Sequence, residues 1–171
     1  IREIDPTISV KDITAYVFDQ FKETIQEDFA KREGLLFVGG FAHPPNADAV
    51  LWFARDIYPL IRQKMEEAGA AAPDFYVVGS KVTDEIRALE QPGNGIIIKG
   101  FVSEEELEQL YAECRIVVVP LRYGAGVKGK VVEAIYNGVP IVTTSIGAEG
   151  IPQVEDVLVV EDEPEQFAQA V

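Results

Sequence analysis

The sequence contains one cysteine, Cys114, and one histidine, His43, among its 171 residues. A single cysteine excludes a framework of internal disulfides and any metal site built on several thiolates. A single histidine likewise excludes a histidine-rich metal centre. We therefore expect no metal site, and we expect Cys114 to be a small buried apolar residue.

Long hydrophobic runs are also missing. No apolar stretch approaches the roughly 20 residues that a membrane-spanning helix needs, and the start has no signal-peptide pattern. These features predict a cytoplasmic chain, and any attachment to the inner face of a membrane is expected from parts outside it. The composition, 47% apolar and 26% charged, is that of one folded domain and not of a disordered segment.

Positive charge is scarce, with 15 Lys and Arg against 29 Asp and Glu and a net charge of -14. This charge repels nucleic acid over most of the surface, so no nucleic-acid partner is expected. A site for a phosphate-bearing ligand must be locally positive, which makes clustered lysines informative.

From Gly34 onward, short apolar runs alternate with longer amphipathic ones. This alternation is typical of βαβ units. We therefore predict an α/β, Rossmann-like three-layer domain with a parallel sheet of about six strands. The predicted strands are residues 35–38, 75–78, 96–98, 116–119, 140–143 and 157–160.

Capping residues and helical spacing predict the helices between these strands. Asn46 is the expected N-cap of a long helix that stops at Gly69. That helix turns Trp52, Phe53 and Ile57 toward the core.

Later in the chain, Ser103 and Glu106 form a predicted capping box at the start of another helix. Two further helices are expected over residues 130–137 and 164–171.

Residues 1–33 lack a clear βα repeat, and we predict an interdomain or linker segment with a short strand at 13–18 and a charged helix at 24–32. Residues 34–171 form the predicted ligand-binding domain. Its final apolar stripe, which includes Phe167, has nothing after it. The domain is therefore expected to be truncated at its C-terminus, as a piece of a longer protein.

The most informative segment, residues 124–133, lies between a predicted buried strand and the start of a helix. Glycines at 124, 126 and 129 allow the backbone to approach a ligand closely, and Lys128 and Lys130 add two cations. Ligands of parallel α/β sheets bind beyond the carboxyl ends of strands. The segment thus predicts a diphosphate site that requires no metal ion or other cofactor.

A P-loop is one alternative for this segment. Gly124, Gly129 and Lys130 have the spacing of its first part. However, Val131 stands where a P-loop needs Ser or Thr to bind magnesium, which disfavours a nucleoside triphosphatase.

A second alternative is the dinucleotide fingerprint of an NAD-dependent oxidoreductase, which Gly124, Gly126 and Gly129 also match, with Glu149 at about the expected distance. The four residues between the strand and the first glycine speak against it. The third interpretation uses Glu133, whose carboxylate can accept hydrogen bonds from both hydroxyls of a ribose. A nucleotide diphosphate sugar carries that arrangement of groups.

The chain also resembles a known family, the group 1 (family 4) glycosyltransferases of GT-B fold. The matching stretches are PLRYGAGVKGKVVEA (120–134), GVPIVTT (138–144), GAEG (147–150) and FVGGFAHPPNADAVLWF (37–53). The resemblance covers residues 35–171. It implies the carboxyl-terminal, donor nucleotide-sugar-binding half of an enzyme whose amino-terminal acceptor domain is absent from this chain.

By this resemblance, the enzyme transfers a sugar from a nucleotide diphosphate sugar to a glycan, lipid or other acceptor with retention of configuration. Glu133 matches the second glutamate of the family's Glu-x7-Glu signature and would bind ribose. Lys128 and Lys130, with the amides of Gly126 and Val127, would hold the diphosphate. We therefore predict Lys128, Lys130 and Glu133 as the catalytic residues.

The sequence departs from the family pattern at two places. The first glutamate of the signature falls at Ala125, which cannot fill its role near the donor sugar. The loop at 39–45 lacks the Arg and Lys that many members carry there, although Gly39 and Gly40 can still bring amides to a phosphate. His43 is either a contact to phosphate or acceptor, or a surface residue in a proline turn.

The base pocket is predicted at two loops of the same sheet edge, with Ser80, Phe101 and Val102 as binding residues. The alternative is that Phe101 and Val102 belong to the core. Glu149 either faces the cleft or caps a helix. Finally, Ala125 and the uncharged first loop leave open a non-catalytic nucleotide-binding or interaction module of the same fold.

Overall fold

The structure is a computed structural model that describes residues 26–171. Within them, six parallel strands form one sheet in the order β3-β2-β1-β4-β5-β6. The strands are β1 (Leu35–Val38), β2 (Phe75–Val78), β3 (Ile96–Gly100), β4 (Ile116–Val119), β5 (Ile141–Thr143) and β6 (Val159–Val160). This sheet confirms the predicted α/β, Rossmann-like class.

Strands β1, β2 and β4 have the predicted bounds, whereas β3 ends two residues later and β5 begins one residue later than predicted. The prediction for the last strand was wrong at its start. Val157 ends a short helix and is 46% exposed, so only Val159 and Val160 pair with β5. The chain enters that helix at Gln153, whose φ is 52°.

Helices connect the strands. They are α1 (Pro44–Trp52), a π-helical turn (Phe53–Ile57), α2 (Tyr58–Glu67), α3 (Asp84–Arg87), α4 (Glu104–Glu113), α5 (Gly129–Tyr136), α6 (Ser145–Ala148), α7 (Val154–Val157) and α8 (Pro164–Ala170). A 3-10 helix, Gln26–Lys31, precedes β1 inside the predicted helix at 24–32. The predicted strand at 13–18 lies outside the described residues.

The start of α1 corrects one prediction. Asn46 is not the N-cap, because the helix begins at Pro44 and His43 occupies the cap position. Prolines 44 and 45 carry a fixed φ that suits the first helical turn, and this outweighs the capping preference of asparagine. Asn46 therefore lies inside the first turn, where its side chain is buried.

Only one of the two hydrogen bonds of the predicted capping box forms at the start of α4. Ser103 Oγ accepts a hydrogen bond from the amide of Glu106 at 3.1 Å. The carboxylate of Glu106 does not reach back to the cap but pairs with Lys99 at 3.2 Å.

Aromatic residues form the centre of the core. The Phe53 ring lies 4.5 Å from that of Phe75 and 6.0 Å from that of Phe167, measured between centroids. Helix α8 thus closes the core with the apolar stripe that the sequence indicated. The predicted core residues are buried: Trp52, Phe53, Ile57 and Cys114.

The sheet order sets the place of a ligand site. Strand order reverses between the neighbours β1 and β4, and such a reversal opens a crevice at the carboxyl ends of the strands. Among residues 26–171, no helix is long and apolar enough to cross a bilayer. In the same part of the chain, no group of three or more His, Cys, Asp or Glu side chains is arranged to hold a metal.

Candidate nucleotide site at the carboxyl edge of the sheet

A cleft of about 230 Å³ lies between the loop after β1 and the loop after β4, where the strand order reverses. The first loop and α1 contribute His43, Pro45 and Asn46 to its walls. The predicted site residues that line the other side are Gly124, Val127, Lys128, Gly129 and Lys130, and Ala125 lies among them. The cleft therefore forms around the segment that the sequence singled out.

The turn before α5 requires glycine at two positions. Gly124 has a φ of 129° and Gly126 a φ of 77°, values that residues with a side chain rarely adopt. The turn leads into α5 at Gly129, and the side chain of the N-cap residue Lys128 makes no capping hydrogen bond. Uncapped first-turn amides and the positive end of the helix dipole favour an anion at this place.

Lys130 is a part-buried cation beside the cleft. Its Nζ lies 4.4 Å from the centroid of the Phe37 ring and donates a hydrogen bond to Asn46 Oδ1. Burial lowers the pKa of Lys130 to about 8, the charge of Glu133 opposes that fall, and Lys128 adds to it. The side chain is thus mostly protonated at neutral pH, and it becomes neutral above about pH 8.

Lys128 is engaged differently. Its ammonium lies 3.2 Å from Glu149 Oε2 and also donates to the carbonyl oxygen of Gly126. Glu149 thus pairs with a lysine of the cleft without lining the cleft itself, and it occupies the C-cap position of α6. The N-cap of that helix is Thr144, whose hydroxyl accepts from the amide of Gly147 at 3.2 Å. An anionic ligand at Lys128 competes with a carboxylate that already pairs with it.

Glu133 lies one turn inside α5 and does not line the cleft. Its Oε2 accepts a long hydrogen bond of 3.4 Å from the hydroxyl of Tyr111 in α4. Burial, and then the charge and hydrogen bond of Glu133, raise the pKa of Tyr111. The tyrosine thus remains a neutral donor that holds the carboxylate.

The loops after β1 and β2 pack directly on each other next to Lys130. A Cβ added to Gly79 would lie 1.9 Å from the carbonyl oxygen of Gly39, and one added to Gly40 would lie 3.4 Å from Ser80 Oγ. A Cβ on Gly39 would lie 2.8 Å from Lys130 Nζ. Gly39, Gly40 and Ser80 are therefore brought together beside the cleft but do not line it.

The predicted base-binding residues after β3 are farther from the cleft. Phe101 is 82% exposed, which excludes the alternative that it is a core residue. Val102 is half-buried and packs against the core. Because β2 and β1 separate β3 from β4, neither side chain joins the cleft walls.

An ion pair that the sequence analysis missed joins the two sides of the cleft. Arg122 Nε donates to Asp48 Oδ2 at 2.9 Å, a second guanidinium nitrogen contacts Oδ1, and the Arg122 guanidinium carbon lies 5.4 Å from the centroid of the Trp52 ring. The contacts of Asn46 and Tyr111 were also missed. The paired prolines before Asn46 are the sequence feature that could have placed it correctly, since they mark the start of α1.

The family model of group 1 glycosyl transferases matches residues 32–171. An "uncharacterized 44.6 kDa protein in cps region" from Klebsiella pneumoniae is 31% identical over 123 residues, which cover 68% of this chain and 30% of that protein.

Two solved structures are similar in fold. A UDP-forming α,α-trehalose-phosphate synthase from Burkholderia xenovorans has a TM-score of 0.54 at 12% identity and covers 85% of this chain. The pneumococcal O-GlcNAc transferase GtfA, solved with UDP and GlcNAc, has a TM-score of 0.53 at 20% identity and covers 82%.

At such identities the solved structures show a shared fold alone, and the chain spans only 27% to 37% of the lengths of these three proteins. The family match, in contrast, includes nearly all of the described residues, together with the cleft and the turn before α5. The chain therefore belongs to the group 1 glycosyltransferases.

Proposed function

We propose that the chain is the carboxyl-terminal, donor-binding domain of a retaining family 4 glycosyltransferase of GT-B fold. Its cleft would bind the diphosphate of a nucleotide diphosphate sugar. One observation carries this proposal: the part-buried ammonium of Lys130 and an uncapped helix start meet in a cleft at the reversal of strand order.

The chemistry of this domain is electrostatic. As the bond between the sugar and the diphosphate breaks, negative charge grows on the departing phosphate oxygens. Lys128, Lys130 and the amides of Gly126 and Val127 stabilise that charge, and fixed donors do so without reorganising during the reaction. Glu133 accepts hydrogen bonds from the ribose, and an amino-terminal domain outside this chain binds the sugar acceptor.

Titration calorimetry with UDP, GDP, ADP and NAD tests the proposal. We expect binding to at least one nucleoside diphosphate and weaker binding to NAD. The absence of binding to every nucleoside diphosphate contradicts the proposed function. A preference for NAD favours the oxidoreductase alternative.

A non-catalytic nucleotide-binding module is the second candidate, and Ala125 favours it. Ala125 lines the cleft at the position where the family's signature has a glutamate near the donor sugar. A module of this kind binds the nucleoside diphosphate and its sugar conjugate equally well, and the full-length protein releases no sugar. Sugar release by the full-length protein excludes this candidate.

A further inference from the structure

Asn46 connects three parts of the carboxyl edge through one buried side chain. It is 8% exposed and lies in the first turn of α1. Its Nδ2 donates to the carbonyl oxygen of Gly40 at 2.8 Å, and its Oδ1 accepts from Lys130 Nζ. A carbonyl can only accept and an ammonium can only donate, so these two partners fix the orientation of the amide.

The two contacts of the Lys130 ammonium leave its charge intact. One partner is a neutral amide oxygen and the other is the face of the Phe37 ring. The ammonium of Lys128, in contrast, already pairs with the carboxylate of Glu149. Gly39 leaves the space for this arrangement, because a Cβ there would lie 2.8 Å from Lys130 Nζ and 2.9 Å from the Asn46 amide.

We propose that Asn46 is a positioning residue, which holds the Lys130 ammonium in place for the donor diphosphate without neutralising it. This inference rests on the proposed function. An amide suits the task because it bridges a carbonyl and an ammonium at once. A carboxylate in its place would repel the Gly40 carbonyl oxygen and cancel the charge of Lys130.

Two substitutions change the electrostatics of Lys130 in opposite directions. In Asn46→Asp, a neighbouring carboxylate favours the ammonium, so its pKa rises while its net attraction for phosphate falls. In Asn46→Ser, the short hydroxyl cannot bridge both partners, and loss of the amide oxygen lowers the pKa further. Other charged or titratable groups near Lys130 are Lys128 and Glu133, together with His43 and Tyr123 of the cleft walls.

The test is the affinity of the chain for UDP, GDP or ADP between about pH 7 and about pH 9, where the phosphates are largely ionised and the bases still carry their ring protons. A bound anion selects protonated Lys130, so the parent's affinity falls as the pH rises through about 8. We expect Asn46→Asp to bind the nucleotide about tenfold more weakly than the parent at pH 7, and its affinity to fall at a higher pH than the parent's. The affinity of Asn46→Ser should fall at a lower pH than the parent's. Asn94→Asp, at the opposite edge of the sheet, is the control and should match the parent.

A purely structural role for Asn46 predicts lower thermal stability without movement of the pH at which affinity falls, and that result overturns the inference. Asn46→Ser adds no charge and decides the question alone if Asn46→Asp does not fold. Failure of the proposed function gives a different result from failure of this inference, because in that case the parent itself binds no nucleoside diphosphate. The side-chain NMR titration of Lys130 without ligand still tests Asn46, and equal pKa values in parent and variants contradict its role.

Discussion

The two edges of the sheet use the same kind of side chain in different ways. At the amino edge, where the strands begin, the Asn94 amide donates to the carbonyl of Leu89 at 2.8 Å and accepts from the amide of Ile96 at 3.0 Å. The Asn94 side chain therefore only closes a turn. At the carboxyl edge, the Asn46 amide bridges a carbonyl and the ammonium of Lys130. One asparagine satisfies backbone groups, and the other fixes a cation.

The edges also differ in charge. A depression of about 480 Å³ at the amino edge is lined by Asp74 and Glu90, whereas the smaller cleft of about 230 Å³ at the carboxyl edge is lined by Lys128 and Lys130. In a chain with a net charge of -14, phosphate is repelled from the larger depression and attracted to the smaller cleft. Charge, and not volume, distinguishes the two places.

The largest expected effect concerns backbone packing. Gly79→Ala places a Cβ 1.9 Å from the Gly39 carbonyl oxygen, so the loops after β1 and β2 must separate. Gly93→Ala at the amino edge also has a positive φ, of 75°, but meets no atom within 4 Å. We expect Gly79→Ala to cost at least about 3 kcal/mol of unfolding free energy and Gly93→Ala about 1. Equal denaturant midpoints would contradict the tight packing of the carboxyl edge.

The next effect concerns the cation of the cleft. Lys130→Met should weaken nucleoside diphosphate binding about ten- to a hundredfold, because a charge-assisted hydrogen bond to phosphate is lost. Lys64→Met is the matched control, since Lys64 is an exposed lysine that bonds Gln169 far from the cleft. Calorimetry on both variants separates the effect of the local charge on affinity from the effect of the net charge. Equal losses of affinity in the two variants would count against the site.

A smaller effect is expected for the ribose contact. Glu133→Gln should weaken binding of UDP or another ribonucleoside diphosphate about tenfold, since the amide accepts less strongly than the carboxylate. The loss should shrink for the 2′-deoxy nucleotide, which lacks one of the two hydroxyls. Glu113→Gln, at the amino edge, should change neither affinity. The same loss for both nucleotides would argue against ribose recognition by Glu133.

The smallest effect should be a gain. Glu149→Gln removes the carboxylate that pairs with Lys128 at 3.2 Å, and so it frees that ammonium for the ligand. Glu149 is half exposed although Lys128 is largely buried, so we expect only about a two- to fivefold rise in affinity, which high salt abolishes. Glu85→Gln breaks the exposed pair with Arg55 and should leave affinity unchanged. A loss of affinity in Glu149→Gln would mean that this side chain supports the ligand directly.

Local patterns predicted the sheet well because the strands are short apolar runs, several of them rich in β-branched residues, between turn residues. They failed where local preferences compete. The run that contains Val157 suits either a strand or a helical turn, and at the start of α1 the prolines outweigh the capping preference of Asn46.

The candidate site was predictable only in part. The turn at 124–129 could be predicted because its glycines and lysines are close together in the sequence. The contacts between Asn46 and Lys130, and between Asp48 and Arg122, join residues 84 and 74 positions apart. They depend on the strand order that sets β1 beside β4, which no local pattern encodes.

The most direct measurement is an NMR titration of backbone amides with the nucleoside diphosphate that the chain binds most tightly. We expect saturable shifts at residues 39–46 and 124–133, and none at 90–96 of the amino edge. Shifts confined to the amino edge, or no saturable shift at 124–133, would contradict a nucleotide site at the carboxyl edge.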